Sequence, residues 1–312
     1  MKIRILCLLL FLSVLGSMHG ATIKKAFLYD KYTLKDSYPY KSGERRFQWE
    51  KINVFLDSLD SACQRYIVYG VLQNYKNANG IAPVFPGSPK DAFGVLTDTF
   101  GIERVQAIPL YEDTDSVALT RYGRDGALVI IEPDTASRSV APDAAGYLRV
   151  TPLSVRKTYK VHEEYLKTIG PVCFSKVICV DVTNQNVATL EKSDSVWLVR
   201  SMNPITSGLD HPPFKRSTPV GVFLVLEQIT KMYYYKDGTS TIAGFAPWAT
   251  RFCGGAYLHG VPVNYPSQNI VEYSATLGTT PRSHRCVRNA SSHALFIYDW
   301  AHPFDTLVLV IN

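Results

Sequence analysis

Four apolar runs of six to eight residues, rich in β-branched side chains and separated by turn-forming residues, limit what this chain can fold into: KVICVDVT (176–183), SVWLVRS (195–201), GVFLVLEQ (221–228) and TLVLVI (306–311). Each is short for a packed helix and has the composition of a strand buried in a β core. Asn184-Gln185-Asn186 closes the first run, and Asp237-Gly238 has the residue pair of a tight hairpin. The second half therefore reads as an antiparallel β domain. Upstream, IERVQAIPLY (102–111), SVALTRYG (116–123) and ALVIIE (127–132) repeat the pattern around the turn Arg124-Asp125-Gly126 and predict a small barrel-like module between 101 and 169.

Helical signals are few. Trp49, Ile52, Leu56 and Leu59 recur at spacings of three and four, which predicts an amphipathic helix over 46–59. Residues 291–300 have the composition of one short helix, with Asn289 placed to cap it. The lysine-rich segment YKVHEEYLK gives way near Gly170-Pro171 to a new apolar alternation, which marks a domain boundary. The expected fold class is mainly β with some α: a leader at 1–20, an α+β N-terminal region at 21–170 ending in the barrel-like module, and an antiparallel β-sandwich at 171–312.

The leader begins with Lys2 and Arg4, continues with an apolar run from Ile5 to Leu15, and ends in small and polar residues, the layout of a secretory signal peptide cleaved after Gly16 or Gly20. This predicts an exported protein of the periplasm or cell envelope. No segment is apolar for the roughly 20 residues a membrane helix needs, so stable membrane insertion is not expected. A hydrophobic share of 46% excludes a disordered chain, and a net charge of +6 without basic–aromatic clusters excludes a nucleic-acid surface. The sequence defines no oligomeric state.

Cys63, Cys173, Cys179, Cys253 and Cys286 lie outside the leader, an odd number for an oxidising compartment. The segment 283–289, Ser283-His284-Arg285-Cys286-Val287-Arg288-Asn289, sets Cys286 beside a histidine, two arginines and a helix start, all of which favour a thiolate. Tyr257-Leu258-His259-Gly260 puts a second histidine at the end of a β-like run, where it could serve as general base. The rival reading is a structural disulfide using Cys286, with Cys253 as one partner; pairing of Cys253 with Cys173 or Cys179 would instead leave Cys286 free, and sequence does not define the connectivity. Papain-like peptidases place cysteine before histidine, the reverse of the order here. No spacing of histidines matches a metal site, and no metal or cofactor is expected. The sequon at Asn289 lies inside this cysteine loop and is discounted. Tyr233-Tyr234-Tyr235 could wall a substrate cleft, with packing the expected use.

Three elements stand in order: Thr218-Pro219-Val220-Gly221-Val222-Phe223, then His259-Gly260, then the cysteine segment. They resemble the TPxGxF strand, the HG element and the SHGC(V/I)R element of L,D-transpeptidases of the YkuD type. With VICVDVTNQNVATLE resembling that family's first hairpin, the likeness runs from about 172 to 312. The run IPLY with RYGRDG also resembles the Src-homology-like barrels that accompany bacterial wall enzymes.

The resemblance to L,D-transpeptidases implies a β-sandwich with a cleft and a thioester mechanism on peptidoglycan stem peptides. Cys286 matches the nucleophile and His259 the base or proton shuttle. His284, Arg288, Ser283 and Gly260 match supporting positions, with Arg288 either binding a stem carboxylate or bracing the loop. The N–H groups of Arg285 and Cys286 are expected to form an oxyanion hole. Cross-linking is the expected reaction, with L,D-carboxypeptidase activity or a non-catalytic wall-binding role as alternatives. Two departures stand out. Arg285 replaces a family glycine, which would cost about 1 kcal/mol or more if φ were positive there. The stretch between His259 and Cys286 is long and is expected to line the cleft.

Overall fold

The computed structural model describes residues 21–114, 118–133 and 140–312, so the predicted leader lies outside the described residues. The four apolar runs meet in one six-stranded sheet. Its spatial order is Thr22–Lys25, Val196–Pro204, Asn186–Ser193, Lys176–Asp181, Thr306–Ile311 and Gly221–Leu224. Thr22–Lys25 pairs parallel to Val196–Pro204, and Lys176–Asp181 parallel to Thr306–Ile311, while the other pairings are antiparallel.

The sheet is apolar on both faces, which explains runs without polar alternation. Val177, Cys179, Leu307 and Leu309 pack with Leu190 and Trp197 on one face, and Ile178, Val180, Val308 and Val310 face the opposite side. The first face is covered by helix α1 (Trp49–Cys63) through Ile52, Leu56 and Leu59, the residues whose spacing predicted it. Full burial of each contributes about 1.5–3 kcal/mol. Trp49 instead stacks on Phe47 at 5.4 Å and donates to Asp36. The second face meets Ile297 and Trp300 of helix α2 (Ser291–Trp300) and the sheet that carries the candidate site.

A seven-stranded antiparallel sheet occupies the N-terminal half. Its order is Leu166–Pro171, Val68–Leu72, Leu128–Glu132, Tyr147–Pro152, Tyr159–His162, Ala107–Glu112 and Leu119–Arg124. It recruits Val68–Leu72 from ahead of the region in which strands are expected. Its turn at Asp125-Gly126 docks on the neighbouring sheet. Asp125 accepts from the N–H groups of Asn74 and Gly254 and pairs with Arg251 at 2.9 Å. Gly126 has φ 83°, and a Cβ there would stand 2.0 Å from the Phe252 carbonyl oxygen, so only glycine allows the approach.

Two expectations need correction. The disulfide joins Cys63, at the end of α1, to Cys173, while Cys179, Cys253 and Cys286 are free. Cys253 and Cys179 are buried within the strands Ile242–Cys253 and Lys176–Asp181, whereas Cys63 ends α1 and Cys173 lies between the strands Leu166–Pro171 and Lys176–Asp181. Asn289 is not the cap of α2; Ala290 occupies that position without a side-chain bond. The Asn289 side chain is buried, donates to the Val287 carbonyl and lies 3.2 Å from His293 Nδ1. Among the described residues, no helix is long and apolar enough to cross a membrane.

Candidate active site

The site is built on a five-stranded sheet: Glu227–Tyr235, Ile242–Cys253, Ala256–His259 and Val287–Arg288 in spatial order, with Val263–Asn264 paired separately to Ile242–Cys253. Ala256–His259 and Val287–Arg288 run parallel, with Leu258 opposite Val287 and His259 opposite Arg288. Side chains alternate across a sheet, so this register sorts them. Leu258 and Val287 turn into the core. Tyr257, His259, Cys286 and Arg288 line a cleft of about 1000 Å³ on the other side.

The loop that presents Cys286 is held at nearly every residue. Arg282 and Ser283 donate backbone N–H groups to the Ser207 carbonyl, Leu209 donates to Ser283, and Thr206 and Arg288 exchange two backbone bonds. Ser283 Oγ donates to the Cys286 carbonyl. Thr218, the first residue of the TPVGVF element, donates its hydroxyl to the Arg285 carbonyl at 2.8 Å and accepts the Gly208 N–H at 2.8 Å. Gly208 packs so closely that a Cβ would lie 2.9 Å from Arg285 Cα. Arg285 is absent from the residues with positive φ, so replacing glycine there brings no left-handed strain.

His259 is buried, and its Nδ1 lies 2.6 Å from the Gly260 carbonyl oxygen. That oxygen only accepts, so Nδ1 carries the proton and Nε2 keeps its lone pair. Gly260 also makes room: a Cβ would stand 2.8 Å from Pro247 and from Ser291 Oγ. Burial pushes the His259 pKa down to about 4, with the nearby Arg288 charge acting the same way and the Gly260 bond opposing. Burial also raises the Cys286 thiol above its ordinary value, against a backbone hydrogen bond from Tyr257 and the charges of Arg288 and Arg285. The expected depressed thiol is therefore not observed, because desolvation outweighs the cations and α2 does not start until Ser291. The resting pair is a thiol and a neutral imidazole. The thiol points towards the Gly255 carbonyl at 3.6 Å.

The other basic residues divide. His284 lines the cleft as well, with its Nε2 held 2.8 Å from Asp237 Oδ1 just beyond the strand Glu227–Tyr235. Arg285 reaches Glu103 at 2.7 Å. Arg288 stays in the cleft, where its Nε has no hydrogen-bond partner among the described residues. Ser274, Thr276, Leu277 and Arg282 from the long stretch after His259 line one wall. Tyr234 is fixed by bonds to the Val263 carbonyl and Asn264, whereas Tyr233 and Tyr235 are exposed.

The YkuD family, described as an L,D-transpeptidase catalytic domain, matches residues 175–310. This segment belongs to that family. The transpeptidase domain thus contains the whole five-stranded sheet and most of the six-stranded one. Among solved structures, the chain is similar to a fused Zn-dependent amidase/peptidase/peptidoglycan-binding domain-containing protein from Clostridium acetobutylicum, at 21% identity over 45% of this chain and 53% of that one, with a TM-score of 0.32. It thus spans about half of the clostridial chain's length. An L,D-transpeptidase from Mycobacterium smegmatis matches at 16% identity over 60% and 92%, with a TM-score of 0.37. L,D-transpeptidase 3 from Mycobacterium tuberculosis, with a faropenem-derived adduct, matches at 17% identity over 55% and 69%, with a TM-score of 0.34. No curated protein matches significantly.

Some cleft residues come from outside the transpeptidase domain and were not anticipated. Tyr75 and Lys76 line the cleft. The Tyr75 hydroxyl lies 3.1 Å from that of Tyr257, and the Arg251 guanidinium sits 4.0 Å over its ring. Lys76 takes a left-handed conformation, φ 55° and ψ 26°, fixed by its N–H to Gln106 Oε1. Nothing in the local sequence YKN announces this.

Proposed function

We propose that this chain is an exported L,D-transpeptidase that cross-links or remodels peptidoglycan stems through a thioester on Cys286. The observation that carries the reading is the register that sets His259, Cys286 and Arg288 on one sheet face within one cleft. A stem peptide enters with a carboxylate against the guanidinium of Arg288, which lines the cleft. Neutral His259 takes the thiol proton as sulfur attacks the carbonyl at the L-centre of the third stem residue. Negative charge on that oxygen is met by the N–H group of Cys286, since the Arg285 N–H, expected to share this role, already faces Ser283 Oγ at 3.4 Å. Such a donor is worth about 2.7–4 kcal/mol in studied hydrolases. The C–N bond to the terminal D-residue breaks, and the imidazolium gives its proton to the leaving amine. An acceptor amine then attacks the thioester, loses a proton to His259, and releases the thiol.

Export is supported by the leader pattern at 1–20 and by the Cys63–Cys173 disulfide, since such bonds persist in oxidising compartments. The test is incubation of the mature protein with a disaccharide-tetrapeptide, with products weighed. A cross-linked dimer lacking one terminal residue is expected. Tripeptide alone would assign a carboxypeptidase, with water as acceptor. Identical products from wild type and Cys286→Ala would contradict the enzyme reading.

A further inference from the structure

The side chain next to the candidate nucleophile is held by a carboxylate from outside the transpeptidase domain. Glu103 places Oε2 2.7 Å from Arg285 Nη2, and its Oε1 pairs with Arg216 Nε. Arg216 also pairs with Asp91 at 2.8 Å, and its backbone N–H donates to the His284 carbonyl at 3.1 Å. The acids are presented by one small turn used twice, DAFGV at 91–95 and DTFGI at 98–102. Asp91 Oδ1 accepts the N–H groups of Phe93 and Val95, and Asp98 Oδ1 those of Phe100 and Ile102. Asp98 Oδ2 accepts the Tyr122 N–H at 2.8 Å, which pins the second turn to the strand Leu119–Arg124 just ahead of Glu103. Glu103 is thus a preorganised acceptor, with its side chain only 22% exposed.

We propose that Glu103 is a positioning residue for Cys286: by holding Arg285 it fixes the nucleophile loop from the side that backbone bonds do not reach. The N-terminal region then completes the active site, and arginine stands in place of the family glycine because it makes this strut. The inference rests on the cysteine-enzyme reading above. The Arg285 carbonyl is already fixed by Thr218 and its Cα is packed on Gly208, which leaves the guanidinium as the free handle on the loop.

The test is the saturation kinetics of Cys286 acylation by a carbapenem, followed by intact mass on the full chain, with iodoacetamide alkylation alongside. Glu103→Gln is expected to lower the limiting rate constant by about ten- to a hundredfold, as misplaced reacting groups do. The half-saturating concentration should stay within about twofold, and Glu103→Asp should restore part of the rate. A merely structural role would lower the reactive fraction and leave the rate constant of the folded protein unchanged. Arg285→Gln breaks the same bond from the other side and should give the same drop even if Glu103→Gln fails to fold. Rates within about twofold of wild type in both variants would overturn the proposal. If wild type itself forms no β-lactam adduct, the proposed function falls and iodoacetamide decides the inference. Slower alkylation in both variants supports it, because a loosened loop presents the thiol less well, and equal alkylation overturns it.

Discussion

The two sheets of the transpeptidase domain differ in what their second face meets. The six-stranded sheet is covered on both faces, by α1 on one and by α2 and the site sheet on the other, so Val177, Ile178, Cys179 and Val180 are all buried. The five-stranded sheet buries Leu258 and Val287 and turns His259, Cys286 and Arg288 to the cleft. One sheet supplies stability and the other, with half its side chains free of packing, supplies chemistry. The comparison also separates the free cysteines. Burial pushes Cys253 up to about 12 in spite of the charges of Arg124, Arg285 and Arg251, and Cys179 well above the ordinary thiol range, while Cys286, also raised, differs in having a cleft in front.

Substitutions should therefore fall into two kinds. The largest effect is expected from His259→Asn, which keeps a donor near the Gly260 carbonyl and removes the base. Its acylation rate should drop by about 10²–10⁴-fold while the melting temperature at neutral pH barely changes. Ile178→Ala is the counterpart in the covered sheet. It should cost about 2–5 kcal/mol in denaturant unfolding and leave the acylation rate of the folded protein as it was. A rate loss in Ile178→Ala as large as that of His259→Asn would break the division.

Acid titration sharpens the comparison at smaller magnitude. His259 ionises near 6.5 when unfolded and is held down to about 4 when folded, so between these values the unfolded chain binds the extra proton. Its stabilisation is complete above pH 6.5, declines as pH falls towards 4, and changes no further below that. His293, pushed down to about 3 by burial between Ser201 and Asn289, adds a second slope of the same sign. Urea unfolding from pH 7 to 4 should show the decline, and His259→Asn should flatten it in part; an unchanged slope would mean that His259 is not buried neutral. The smallest effect is expected for Lys76→Ala at the far wall, a rise of about threefold in the half-saturating carbapenem concentration with the limiting rate unchanged.

The strands of the covered sheet were legible because burial on both faces writes itself as unbroken apolar runs, and α1 because Ile52, Leu56 and Leu59 keep helical spacing. His259 and Cys286 were legible because short motifs carry them, although their shared face depends on a strand register no motif states. The thiol's direction was misjudged because local sequence shows charges but not desolvation. Glu103 was hidden inside IERVQAIPLY, which reads as one long strand, whereas the strand opens at Ala107 and an Asp98-anchored turn precedes it. The repeated D-x-F-G turn at 91–94 and 98–101 was the available signal, and DAAG at 143–146 makes the same turn, with the Asp143 carboxylate accepting from Ala145 and Tyr147.

The most direct measurement is the intact mass of the mature protein after exposure to a carbapenem, for wild type and for Cys286→Ala. The account predicts one stable adduct on wild type, mapped to Cys286, and none on the variant. An unmodified wild type, or an adduct that persists in Cys286→Ala, would contradict it.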